Sequence, residues 1–90
     1  MIRTQLIIIN KLGLHARAAS KFVACTTAFS SRIHVGKAGG QLVDGKSIMS
    51  VMMLAAGKDT LLDVEIEGRD EQKALAALQS LVENRFEEPE

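Results

Sequence analysis

Several residue types are scarce in this 90-residue chain, and each scarcity excludes a class of protein. The chain has one cysteine and one proline, and it has neither tryptophan nor tyrosine. A lone cysteine excludes an intramolecular disulfide, so the fold must be stabilised by packing, as in proteins of a reducing compartment. We interpret Cys25 as a small core residue rather than a nucleophile or a metal ligand.

An excess of charge of either sign is also lacking, because eleven basic side chains balance eleven acidic ones. No global field therefore attracts the protein to nucleic acid or to an anionic membrane. The first residues lack the charged and apolar regions of a leader, and no apolar stretch is long enough to span a bilayer. We expect a cytoplasmic protein, and its neutral charge and small size favour a monomer.

The apolar pattern divides the chain into the elements of one domain over residues 1–90. Strands are predicted where β-branched or alternating apolar residues occur, at residues 4–10, 32–37, 41–43 and 62–66. Helices are predicted where apolar residues recur at helical spacing, over residues 16–29, about 48–56, and from Asp70 and Glu71 onward. The order β-α-β-β-α-β-α predicts an α+β fold, an open-faced β-sandwich with a four-stranded antiparallel sheet and three helices on one face.

Four local features lead to more specific expectations. Gly57 is typical of a left-handed cap and is expected to end the second helix. Ile7 and Ile9 point opposite to their apolar neighbours and would face water in this sheet. Phe86 is expected to extend the buried stripe of the last helix. The last four residues have no apolar anchor and carry repelling charges, so we expect them to be frayed.

The segment Gly13-Leu14-His15-Ala16-Arg17 lies where the first strand gives way to the first helix. Gly13 permits a turn that other residues disfavour, and His15 falls at or just before the first helical residue. The amides of Ala16 and Arg17 are then free to bind phosphate, and the guanidinium of Arg17 can add charge-assisted hydrogen bonds. The positive end of the helix dipole favours a neutral imidazole, which keeps a lone pair for attack on phosphorus. We expect such a phosphoryl transfer to the histidine to need no metal and no cofactor.

The position of His15 alone does not prove that it has a catalytic role, although the sequence has no motif for a different chemistry. A histidine that only caps the helix, or lies on the surface without a function, is equally compatible with that position. His34 lies on the polar phase of a strand and is interpreted as solvated. His15, His34 and Cys25 do not have the spacing of a metal site, and no phosphate-binding or dinucleotide-binding glycine motif occurs.

Two motifs carry a family resemblance. Residues 13–17 (GLHAR) and 47–49 (SIM), in this order and at this separation, resemble the active-site and second-helix motifs of the HPr family. These proteins are the histidine phosphocarriers of the bacterial phosphotransferase system, and the resemblance covers nearly the whole chain. It implies the sandwich described above with the strand order first, fourth, second, third, and it implies a carrier protein rather than an enzyme.

The resemblance also implies roles for single residues. The phosphorylated histidine of the family falls on His15, with phosphate on Nδ1, and its phosphate-binding arginine falls on Arg17. Its regulatory serine falls on Ser47, for which capping the second helix is a sufficient role and modification by a serine kinase is the alternative. Enzyme I is the implied phosphoryl donor, and a IIA-type protein is the implied acceptor. Where the family often has proline this chain has Ala18, from which we expect a small loss of rigidity and not of function.

The second helix has too many apolar residues for all of them to face the core. Methionine side chains adapt to more than one partner, although core packing is the alternative for such a stripe. The resemblance implies that enzyme I and acceptor proteins contact Ile48, Met49, Met52 and Met53.

Within the family, residues 44–49 (DGKSIM) and 51–54 (VMML) look most like the nitrogen-related branch, often called NPr. Its carrier passes phosphate from a nitrogen-branch enzyme I to a nitrogen-branch IIA protein that regulates other processes. Two alternatives stay open. One is the sugar-branch HPr carrier of sugar transport, and the other is a regulatory binding module that has this fold but carries no phosphate on histidine.

Overall fold

The computed structural model describes residues 1–90. Its four strands are β1 (Ile2–Ile7), β2 (Arg32–Lys37), β3 (Val43–Asp44) and β4 (Leu61–Glu67). Its three helices are α1 (Ala16–Thr27), α2 (Ile48–Met53) and α3 (Glu71–Glu83), and a short turn over Arg85–Glu87 follows α3. None of these helices combines the length and the apolar composition needed to cross a membrane.

The strands form one antiparallel sheet in the order β1-β4-β2-β3. In the centre of the sheet, Val64 of β4 lies opposite Thr4 of β1 on one side and Val35 of β2 on the other. Alternate residues of β4 are buried, namely Leu62, Val64 and Ile66. The period of two puts these side chains on one face, which packs against the helices. The predicted fold class and strand order are therefore confirmed.

One hydrophobic core lies between the sheet and the helices. Phe22 of α1, Val51 of α2 and Leu78 of α3 are completely buried in it, in the same cluster as Ile33 and Val35 of the sheet. Full burial of a large apolar side chain stabilises a fold by about 1.5–3 kcal/mol. Each helix is thus held to the sheet by at least one large anchor.

The first and third strands differ from their predicted bounds. β1 ends at Ile7 rather than at residue 10, because the side chain of Asn10 turns back and donates from Nδ2 to the carbonyl oxygen of Gly13 at 2.9 Å. β3 is Val43–Asp44 rather than residues 41–43. Before it, the backbone of Gln41 passes so close to Gly36 that a Cβ there would lie 2.4 Å from the Gln41 carbonyl oxygen.

The prediction for the end of the second helix was wrong. α2 ends at Met53, and the left-handed residue after it is Ala55 (φ 51°) rather than Gly57. The chain leaves the helix early because the carbonyl oxygen of Ala56 accepts a hydrogen bond of 2.8 Å from the amide of Leu14. This contact with the loop before α1, and not a local cap signal, sets the end of α2.

Ile7 faces water, as the alternation of the strand predicted. Its side chain is 49% exposed and lies opposite Leu61, which is 39% exposed. Cross-strand apolar neighbours shield each other on an open sheet face, and this pairing accounts for the exposed isoleucine. Ile9 lies beyond the strand and is half-buried.

The expected fraying of the last residues was also wrong, because the amide of Lys11 donates to the carbonyl oxygen of Glu90 at 2.6 Å and Nδ2 of Asn10 donates to the Glu88 carboxylate at 2.9 Å. Arg85, Phe86 and Glu87 all have positive φ, at 56°, 54° and 65°, and this left-handed turn reverses the chain after α3. Such a conformation is costly for residues with a Cβ, and the complete burial of Phe86 offsets that cost. Lys21 of α1 donates from Nζ to the Phe86 carbonyl oxygen at 2.9 Å, which fixes the turn against the helix. The prediction that Phe86 extends the buried contact of α3 is confirmed.

Candidate functional site

His15 is the residue immediately before α1. Its backbone is extended (φ −71°, ψ 177°), and its carbonyl oxygen accepts the first hydrogen bond of the helix, from the amide of Ala19 at 2.8 Å. The preceding loop is held by the buried Leu14, whose amide is bonded to Ala56, and by Gly13, whose φ of 65° allows the turn. The side chain of His15 is 29% exposed, so the imidazole is accessible.

Three unpaired amides follow this histidine in the chain. The amides of Ala16, Arg17 and Ala18 donate to no acceptor within the chain, because the first helical turn has no preceding carbonyl groups to bind. The His15 ring does not cap them either. These N–H groups and the positive end of the α1 dipole are the features with which a helix start can bind an anion. The N–H of Ala18 is among the unpaired ones, so a proline at this position would lose no hydrogen bond.

A cleft of about 670 Å³ opens beside His15. It is lined by Lys11, Leu12, His15, Ala16, Arg17 and residues 88–90. Arg17 is exposed, and its guanidinium forms no ion pair with a carboxylate. The structure thus places the predicted pair His15 and Arg17 on one cleft and leaves the guanidinium free for an incoming anion.

Glu88 is a site residue that the sequence did not indicate. One carboxylate oxygen is bonded to Nε2 of His15, and the other accepts a hydrogen bond of 2.9 Å from Nδ2 of Asn10. Asn10 is completely buried, so it fixes the carboxylate from the protein side. No local pattern points to this contact, because His15 and Glu88 are 73 positions apart.

The environment keeps Glu88 ionised. Burial alone would raise the pKa of the Glu88 carboxyl, since only 11% of its side chain is exposed. Hydrogen bonds from Asn10 and His15, together with the charges of His15 and Arg17, outweigh burial and lower the pKa below its ordinary value. The carboxylate beside the imidazole therefore carries a negative charge near neutral pH.

The other candidate residues lie on or near α2. Ser47 precedes the helix, and its Oγ accepts a hydrogen bond of 3.3 Å from the amide of Ser50, so the capping role is present. Four apolar side chains of α2 are exposed by 40%, 65%, 37% and 79%, namely Ile48, Met49, Met52 and Met53, respectively. We call these four residues the methionine patch. Only Val51 of this helix is completely buried.

Cys25 and His34 lie away from the cleft. Cys25 is half-buried in α1, and burial raises the pKa of its thiol, which disfavours the reactive thiolate. His34 is exposed on β2, with Asp44 and Glu65 on the neighbouring strands. No three histidine, cysteine, aspartate or glutamate side chains come together in a way that would hold a metal ion.

The amino-acid sequence matches a family of known proteins. The model of the family described as "PTS HPr component phosphorylation site" matches residues 2–84. The chain belongs to the HPr family. Over 86 residues it is 55% identical to the phosphocarrier protein HPr of Pseudomonas aeruginosa, covering 96% of both chains. It is 47% identical over 90 residues to the phosphocarrier protein HPr of Neisseria meningitidis, covering 100% of both.

Solved HPr structures have the same architecture. HPr-C-His from Thermoanaerobacter tengcongensis superposes with a TM-score of 0.93 at 40% identity, covering 100% of both chains. The HPr of Bacillus anthracis superposes with a TM-score of 0.84 at 36% identity, covering 90% of this chain and 95% of the other. The resemblance inferred from residues 13–17 and 47–49 is thus confirmed.

Membership in the HPr family makes the chain a phosphocarrier of the phosphotransferase system, not an enzyme. The relatives described above all bear the name HPr, so the family assignment does not separate the nitrogen-related branch from the sugar branch.

Proposed function

We propose that this protein accepts a phosphoryl group from phospho-enzyme I on Nδ1 of His15 and passes it to a IIA-type protein. The observation that carries the proposal is the position of His15, accessible and directly before three unpaired amides, with Arg17 on the same cleft. The single hydrophobic core supports the view that residues 1–90 act as one phosphocarrier domain.

The transfer needs few groups from this chain. The lone pair of Nδ1 attacks phosphorus, the new N–P bond forms, and the bond between phosphorus and the donor breaks with its electron pair left on the donor. The amides of Ala16 and Arg17 hydrogen bond to the phosphoryl oxygens, and the Arg17 guanidinium offsets their charge. Because these donors are already in position, the site contributes mainly orientation and electrostatic stabilisation.

The methionine patch is the proposed docking surface for enzyme I and for the acceptor. Its exposed, flexible side chains suit a carrier that must bind two different proteins in turn. We place this exchange in the cytoplasm, which the lone free cysteine supports. A kinase site at Ser47 stays a prediction, because the hydroxyl already caps α2.

Incubation with enzyme I and phosphoenolpyruvate tests the proposed phosphorylation. The wild-type protein is expected to gain an acid-labile, base-stable phosphate, and His15→Ala is expected to gain none. His34→Ala is the matched control, because it removes the other histidine of the chain, which lies on β2. Phosphate that persists in His15→Ala would move the site, and a wild-type protein that gains no phosphate would favour a binding module.

We further propose that the carrier serves the nitrogen-related branch, on the basis of residues 44–49 and 51–54. Transfer rates from the phosphorylated protein to a nitrogen-branch IIA protein and to a sugar-specific IIA protein distinguish the branches. Faster transfer to the nitrogen-branch acceptor is expected. Faster transfer to the sugar-specific acceptor would assign the protein to the sugar branch.

A further inference from the structure

Glu88 fixes one nitrogen of the His15 ring. Its carboxylate bridges two groups, Nε2 of His15 through one oxygen and Nδ2 of Asn10 through the other, at 2.9 Å in the second case. Asn10 is itself anchored, because its Nδ2 also donates to the Gly13 carbonyl oxygen at 2.9 Å. The carboxylate is thus attached to the loop that carries His15, and not only to its own end of the chain.

The position of the carboxylate determines where the ring proton lies. An ionised carboxylate can only accept hydrogen bonds, so Nε2 of His15 has to be the protonated nitrogen. In a neutral imidazole the other nitrogen, Nδ1, then keeps its lone pair. Nδ1 forms no hydrogen bond within the chain, which leaves that lone pair available.

Glu88 leaves the proposed phosphate donors free. Its two hydrogen bonds go to His15 and Asn10, and neither oxygen accepts from the amides of Ala16 and Arg17 or from the Arg17 guanidinium. A carboxylate that blocked the anion site would compete for those donors. The contact instead lies on the side of the ring opposite to the reacting nitrogen.

The geometry points to Glu88 as a positioning residue that holds His15 in the Nε2–H tautomer and so directs the phosphoryl group to Nδ1. This inference rests on the proposed function, since it assigns a role at the same histidine. Asn10 supports it by fixing the second carboxylate oxygen.

The contact also matches the charge that develops in the transfer. When Nδ1 forms its bond to phosphorus and the bond to the donor breaks, the proton on Nε2 stays on the ring, which becomes positively charged. Glu88 remains next to that nitrogen and offsets the charge, in the way that a carboxylate supports a histidine during acyl transfer. No proton has to leave the ring in either direction of transfer.

Nitrogen-15 NMR of the histidine ring tests the tautomer without any phosphorylation. Spectra are compared for wild type, Glu88→Ala and the matched control Glu87→Ala, at a pH where the imidazole is neutral in all three. We expect wild type and Glu87→Ala to be almost entirely Nε2–H. In Glu88→Ala the Nδ1–H form should gain population. An unchanged tautomer in Glu88→Ala would overturn the inference.

Phosphorylation by enzyme I provides the second measurement. Glu88→Ala is expected to accept phosphate roughly 10-fold more slowly than wild type, because a charge-assisted hydrogen bond is lost. Glu87→Ala should keep the wild-type rate, since Glu87 is exposed and contacts Lys21 rather than His15. A faster Glu88→Ala would also overturn the inference and make the carboxylate an obstacle. Failure of wild type to accept phosphate would contradict the proposed function, whereas the NMR result would still stand.

Discussion

The amide of Leu14 donates a hydrogen bond of 2.8 Å to the carbonyl oxygen of Ala56 and joins the loop before α1 to the segment after α2. The two backbones approach closely only because residue 13 is glycine. A Cβ at Gly13 would lie 2.4 Å from the same carbonyl oxygen and 2.7 Å from the Cα of Gly57. This junction sets the position of His15, two residues further on.

Gly13→Ala is expected to destabilise the protein and to slow phosphorylation. The left-handed conformation by itself costs alanine about 1–2 kcal/mol, and the clash with backbone adds about 1–3 kcal/mol. Gly39→Ala is the matched control, because Gly39 also has a positive φ of 78° but a Cβ there would meet nothing within 4 Å. Urea unfolding of both variants measures the difference in the free energy of unfolding. Equal losses would show that the close approach at Gly13 is unimportant.

Asp70 should make stability depend on pH in the acid range. The side-chain hydrogen bond from Ser31, then that from the amide of Ser30, lowers the pKa of the Asp70 carboxyl from 3.8 to about 2. The folded state therefore binds fewer protons than the unfolded state in this window. The stabilisation is complete above pH 3.8 and is lost as the pH falls towards about 2.

The measurement is the urea midpoint of wild type and Asp70→Asn, followed from neutral pH down to about pH 2. The wild-type advantage over Asp70→Asn should shrink as the pH falls. Asp59→Asn serves as the control, because it removes one carboxylate that accepts none of the hydrogen bonds that Ser30 and Ser31 donate to Asp70. A constant difference between wild type and Asp70→Asn would rule out this source of stability.

Asn10→Ala should lower the free energy of unfolding by about 1–3 kcal/mol. The buried amide donates to the Gly13 carbonyl and to Glu88, and its loss leaves both acceptors without that donor. Asn84→Ala removes an exposed amide that bonds only to Ser80, so its effect should stay within about 0.5 kcal/mol. Chemical unfolding compares the two variants. Similar losses for both would mean that the Asn10 contacts add little.

Met49→Glu should slow phosphoryl transfer from enzyme I by ~10-fold without unfolding the protein, because a charge is placed in the proposed apolar interface. Met49 is 65% exposed, so the substitution removes little packing from the folded protein. Ala76→Glu adds the same charge at an exposed position of α3 and is the control. Transfer rates measure the effect on the interface, and melting curves show whether each variant is still folded. A wild-type rate in Met49→Glu would remove the methionine patch from the proposed interface.

Local patterns were sufficient for most elements of the fold. Alternation located β2 and β4 closely, and helical spacing located α1 and α3, because each buries one regular face. The end of α2 was missed for a physical reason. Ala55 takes the left-handed conformation because the chain must reach Leu14, and no cap residue in the sequence announces a tertiary hydrogen bond.

The candidate site also contains residues that the sequence predicted and one that only the structure revealed. The amino-acid sequence by itself determined that a histidine precedes an amphipathic helix with free amides and a nearby arginine, since glycine, helix start and charge are all local properties. Only the tertiary structure decided that Glu88 meets that histidine. The last residues are polar and look unanchored in isolation. Burial of Phe86 in the core nevertheless reverses the chain and delivers the carboxylate to donors contributed by residues more than 70 positions away.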